Sequence, residues 1–187
     1  MTHTALNAFT GPAGKREQTV WTPHHLLDRV DYVFPDGYMD VFPSDGSPAT
    51  DRAIEHPHHP WDAWTGDWWV RNFGNPPFQH PDLGKALTYA RAWFEDAGRE
   101  TLLLVPARTR RDWWCASVAG YAVAYLKPVT FLDSATGKPY ACLNKKTGKW
   151  TVSQFPENLV MVYFGRDRVA DFREAFSDVS THFQGSF

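Results

Sequence analysis

Thr101 to Val105 (Thr-Leu-Leu-Leu-Val) constrains the fold most, because it is a continuous apolar run of strand length. A strand with one wet face alternates apolar and polar residues, so an unbroken run predicts a strand buried on both faces. Its neighbours extend the pattern. Leu83 to Ala97 places Leu83, Ala86, Leu87, Ala90, Trp93 and Phe94 at helical spacing and stops before Gly98. Trp68 to Phe73 reads as a strand before that helix. After the apolar run come a helix over Arg111–Ala119, a strand over Val123–Leu132 with a break at Pro128, a strand over Asn158–Phe164 and a closing helix over Val169–Phe176. Strands thus alternate with helices from residue 68 onward, which predicts an α/β domain with a mainly parallel sheet.

The first third is less regular. A short helix is expected after Thr22-Pro23, with the threonine as its cap and the proline in its first position. Leu26 and Leu27 carry it to about Val30. Tyr38 to Phe42 reads as a brief buried strand ending in the turn cluster Pro43-Ser44-Asp45-Gly46. Residues 44–66 and 133–156 read as a loop and a polar excursion. A length of 187 residues suits one core and is short for two. One domain over 19–176 is therefore expected, between a loose arm at 1–18 and a tail at 177–187.

Composition narrows the partners. Nine tryptophans in a chain that is 16% aromatic either fill the core or wall a cleft that stacks flat ligands such as nucleobases. A net charge of −2 gives no global attraction to nucleic acid, so any such contact falls to local basic clusters. Cys115 and Cys142 match neither a metal spacing nor a disulfide framework, as suits a reducing cytoplasm. Met1 to Arg16 has no apolar run of signal or anchor type, and no stretch reaches the ~20 apolar residues of a membrane span. A soluble, intracellular chain is expected.

The chemistry concentrates at Asn75-Pro76-Pro77-Phe78, directly after the strand ending at Phe73. Ligands of open α/β sheets sit beyond the carboxyl ends of strands. An exocyclic amine on a nucleobase is a weak nucleophile, since its lone pair is delocalised into the ring. Two oxygen acceptors for its hydrogens would aim the lone pair outward and stabilise the positive charge that develops as nitrogen becomes tetrahedral. The Asn75 side-chain oxygen and the Pro76 carbonyl can be those acceptors. Consecutive prolines fix φ and offer no competing N–H, and Phe78 supplies a ring for a base rotated out of a duplex. The alternative is a Pro-Pro turn that simply ends a strand.

The order Trp21-Thr22-Pro23, Met39-Asp40-Val41, an aromatic strand, Asn75-Pro76-Pro77-Phe78 and Leu104-Val105-Pro106-Ala107-Arg108-Thr109 followed by Trp113 resembles the phage-type DNA N6-adenine methyltransferase family over about residues 21–165. The resemblance implies a single trimmed Rossmann-like class I methyltransferase domain, S-adenosyl-L-methionine as donor, double-stranded DNA as partner, and direct transfer without metal. It implies a host-cell cytoplasmic location if the chain is phage-encoded. Asn75, Pro76, Pro77 and Phe78 match the catalytic loop, and Trp21, Thr22, Pro23 and Asp40 match the donor side. Arg108 and Trp113 belong to the matching stretch and are the candidate DNA-side residues, with Arg110 added from the basic cluster beside them. Two departures bear on donor contacts: Asp40-Val41-Phe42-Pro43-Ser44-Asp45-Gly46 stands where a Gly-rich loop is usual, and Phe78 stands where a tyrosine is common. Cytosine N4 methylation, or a catalytically silent relative that binds nucleic acid or a host protein, are the competing readings.

Other clusters carry less. His56-Pro57-His58-His59 lacks ligand partners at metal spacing, and the proline breaks any helical register. Arg108, Arg110 and Arg111 can hold phosphates or form a solvated helix start beside Asp112. Lys145, Lys146 and Lys149 can contact DNA backbone or keep a loop soluble. No nucleophile elbow and no phosphate loop is present.

Overall fold

The computed structural model describes residues 20–56, 63–79, 81–144 and 146–185. The expected arm at 1–18, His58 and His59, Lys145 and the last two residues of the tail lie outside these. The elements are β1 (Val20–Trp21), α1 (His24–Val33), β2 (Met39–Asp40), α2 (Pro48–Arg52), β3 (Arg71–Gly74), α3 (Asp82–Ala97), β4 (Glu100–Pro106), α4 (Asp112–Val118) and β5 (Ala122–Leu126). Beyond them come β6 (Leu132–Asp133), β7 (Ala141–Asn144), β8 (Lys149–Val152), β9 (Leu159–Phe164), α5 (Val169–Phe176) and β10 (Ser180–Gln184).

The architecture is α/β, built on a mixed six-stranded sheet in the order β10-β5-β9-β4-β3-β2. The pairs β2–β3 and β3–β4 are parallel, whereas β4–β9, β9–β5 and β5–β10 are antiparallel. The expectation of a mainly parallel sheet is therefore corrected. β9 reads as an unbroken apolar run because it is buried along its whole length between β4 and β5. Burial of both faces sets that pattern, and strand direction does not enter it. By these pairings β2, β3, β4 and β5 all run one way, so the segments that follow them emerge at one edge of the sheet.

Two cores flank the sheet. On β4, Leu102 and Leu104 join Leu26, Leu27, Val30 and Phe172 on the α1/α5 face. Leu103 and Val105 join Leu83, Leu87 and Trp114 on the α3/α4 face. The period-two alternation of a strand thus serves two apolar layers. Gly98 ends α3 at φ 65°, in the left-handed region glycine favours.

Boundaries moved where side chains found other partners. Thr22 does not cap α1; Pro23 holds the cap position with no side-chain hydrogen bond, and the Thr22 hydroxyl is taken by Asn75. Trp68 lies outside β3, turned into the core with Nε1 donating to the Ala63 carbonyl at 3.0 Å. The expected 123–132 strand divides into β5 and β6 around Pro128. The 133–156 excursion contains the ribbon β7–β8, and the expected tail contributes the edge strand β10.

Candidate active site

β3 delivers Asn75 to the carboxyl edge of the sheet. Its last residue, Gly74, has no room for a side chain: a Cβ there would lie 2.8 Å from Leu103 Cδ2 and from Phe42 Cδ2, and 2.9 Å from Val41 Cγ2. The close approach of three strands at this point fixes where the next residues begin. Asn75 and Pro76 are buried, Pro77 and Phe78 half-buried.

Asn75 donates from Nδ2 to Thr22 Oγ1 at 3.2 Å. Its Oδ1 is buried and finds no hydrogen-bond partner among the described residues. An unmatched buried amide oxygen costs about 1–3 kcal/mol, so native folds seldom keep one without a use. The Pro76 carbonyl likewise accepts no hydrogen bond among the described residues.

Trp21, Thr22 and Asp40 gather beside this turn. The Trp21 Nε1 donates to Ser44 Oγ at 3.4 Å, and its ring covers Gly46, where a Cβ would meet it at 3.2 Å. β1 is held in register by β6 through Trp21 and Leu132. Asp40 is 2% exposed; its Oδ1 accepts from the Phe42 N–H at 3.1 Å and its Oδ2 from Thr50 Oγ1 at 2.8 Å. Burial pushes its carboxyl up to about 6, against the downward pull of those two hydrogen bonds. Asp40 therefore organises the 41–50 segment, the stretch that stands where a Gly-rich loop was sought.

Comparison with family models, curated proteins and solved structures finds no match for this chain.

Phe78 also lines a cleft of about 800 Å³, together with Leu83, Arg108, Arg110, Arg111, Asp112 and Trp113. Arg108 is engaged by Glu157 at 2.6 Å, which compensates its charge. Arg110 and Arg111 are exposed and form no ion pair among the described residues, so they carry the positive field of the cleft. Phe78 also rests on Phe155 and Phe131, with ring centroids 5.3 and 6.2 Å away. Phe131 and Phe155 meet edge to face at 5.6 Å.

The structure thus brings Asn75 to Thr22, Trp21 to the loop after β2, and Phe78 to the arginine cleft. Sequence reasoning missed Phe131, Phe155, Thr50 and Glu157. Phe155, Thr50 and Glu157 lie in polar stretches, where no periodicity marks a contact, and Phe131 lies in the expected 123–132 strand, at the part that forms the connection from β5 to β6. No group of residues suited to a metal ion occurs among the described residues, and no helix of theirs is long and apolar enough to cross a membrane.

Proposed function

We propose that this chain transfers a methyl group from S-adenosylmethionine to the exocyclic amino group of adenine in DNA, on a trimmed Rossmann-like methyltransferase sheet. The observation that carries the reading is the buried, unpartnered Asn75 Oδ1 at the carboxyl end of β3, its amide nitrogen already held by Thr22. That oxygen fits an amine that arrives with two hydrogens to donate.

The residues divide the work. Asn75 Oδ1 and the Pro76 carbonyl accept the amino hydrogens and turn the nitrogen lone pair away from the ring. As nitrogen becomes positive, acceptors already aimed in a dry site stabilise it without reorganising, an effect worth about 3–4 kcal/mol per well-placed group. Thr22 keeps the amide from rotating. Phe78, backed by Phe131 and Phe155, offers its ring to the extruded base. Arg110 and Arg111 suit the flanking phosphates. Trp21, half exposed beside the 44–46 loop, and the neighbouring Thr22 and Pro23 would hold the donor. Its part, when bound, is an electrophilic methyl on a sulfonium. Asp40 acts on that side indirectly, through the loop it ties down.

A catalytically silent relative that binds nucleic acid or a host protein is the second reading. It is favoured by the engagement of both Asp40 oxygens and by the missing glycine run. Calorimetric titration with S-adenosylmethionine separates the two, since the silent relative gives no binding heat.

The direct test is transfer of labelled methyl to duplex DNA, followed by digestion to nucleosides. N6-methyladenine is the expected product, and N4-methylcytosine would move the substrate to the other amino-bearing base. Asn75→Ala should lower transfer by about 100-fold or more while donor affinity stays near wild type. Transfer retained by that variant would overturn the assignment.

A further inference from the structure

β7 and β8 form a two-stranded ribbon that pairs with no other strand among the described residues. Its register sets Ala141 opposite Val152 and Leu143 opposite Trp150 on one face, with Cys142–Thr151 and Asn144–Lys149 on the other. The apolar face is open: Leu143 is 48%, Trp150 71% and Val152 64% exposed. A ribbon this short gains little from its own hydrogen bonds, so an uncovered apolar face on it marks a docking surface.

Charge says what docks. Residues 134–156 contain four lysines and no aspartate or glutamate, in a chain whose net charge is −2. Such a local excess suits a polyanion, and a two-stranded β-ribbon fits the major groove of duplex DNA. Position agrees. The ribbon is rooted where Phe155 N–H donates to the Val129 carbonyl at 2.8 Å and Ser153 N–H to the Tyr140 carbonyl at 2.9 Å. Phe155 is also the ring packed against Phe78. The base of the ribbon and the floor of the proposed base pocket are one aromatic cluster.

We propose that the β7–β8 ribbon is the duplex-engaging element of this protein, with Trp150 and Leu143 packing against base surfaces next to the extruded nucleotide while Lys146 and Lys149 meet phosphates. The inference rests on the reading that the chain acts on DNA, and it names the part that grips the duplex. Exposed tryptophan is well suited to this role, because its face stacks on any base at small cost in side-chain entropy.

The test is binding of a fluorescein-labelled, mixed-sequence DNA duplex, followed by anisotropy. Trp150→Ala should weaken duplex affinity about tenfold or more, with S-adenosylmethionine affinity and thermal midpoint unchanged, and Trp150→Phe should restore most of the loss. Lys146→Ala with Lys149→Ala should reduce the slope of log affinity against log salt by about two. Undiminished duplex binding by Trp150→Ala overturns the proposal. So does a shift in sedimentation from dimer to monomer with duplex binding unchanged, which would make a second copy the occupant. Trp150-dependent binding by a protein that transfers no methyl would sink the enzymatic reading alone. Normal methylation and affinity in Trp150→Ala would sink the ribbon alone.

Discussion

Asn75 and Asp40 are both buried polar residues near the same sheet edge, and their hydrogen bonding sets them apart. Each Asp40 oxygen has a partner on its own loop, while one end of the Asn75 amide is tied and the other is open. The first pattern builds structure; the second leaves acceptor capacity for a ligand. Asp40 nevertheless carries an energetic cost, since burial raises its carboxyl to about 6, above the roughly 3.9 of an unfolded chain. Between these values the folded protein holds a proton that the unfolded chain has released. The contribution of Asp40 to stability is therefore greatest below about pH 4 and falls as pH rises through about 6. The span corresponds to something on the order of 3 kcal/mol. Asp40→Asn should remove this fall, so urea midpoints taken at pH 4.5 and pH 7 should lie closer together than in the wild type. An undiminished gap would show that other groups set the pH dependence.

At the scale of elements, β3 does the positioning. It is short, and Gly74 lets it approach β2 and β4 closely enough that Asn75 starts at a fixed point. Gly74→Ala should cost about 1–3 kcal/mol, because the displaced atoms belong to packed side chains of Leu103 on β4 and of Val41 and Phe42 just after β2. A chemical denaturation curve measures this, and an unshifted midpoint would mean that the strands part more easily than their packing implies. α3 and α5 were legible in the sequence because their apolar residues recur at 3.6-residue spacing over two turns or more. β4 and β9 were legible as continuous apolar runs. The candidate site was legible in part: the Asn-Pro-Pro-Phe turn stands out in the sequence, but its support by Thr22, Phe131 and Phe155 comes from residues 50 or more positions away, and pattern within a window cannot see them. The ribbon was read as a polar excursion, since lysine, asparagine and glycine dilute the alternation of its four apolar positions.

At the scale of the whole molecule, the sheet is closed on one side by β10, which covers the edge of β5 and sets Phe183 on Phe172 at 6.1 Å. A chain ending at Ser177 should bare that edge. Its thermal midpoint should fall by roughly 5–10 °C, given about 2–4 °C per kcal/mol for a chain of this size, and light scattering should reveal association through the open strand. A monomer of unchanged midpoint would show the strand to be dispensable. The sequence by itself determined the α/β class, the identity of the buried strands and the Pro-Pro turn after β3, because burial and backbone restriction act on residues close in the chain. Only the tertiary structure decided that β9 runs against β4 and β5, that Asp40 serves its own loop, and that Thr22 orients Asn75. Strand direction leaves no mark on an apolar run, and a hydroxyl is shared out among whichever partners the fold brings near.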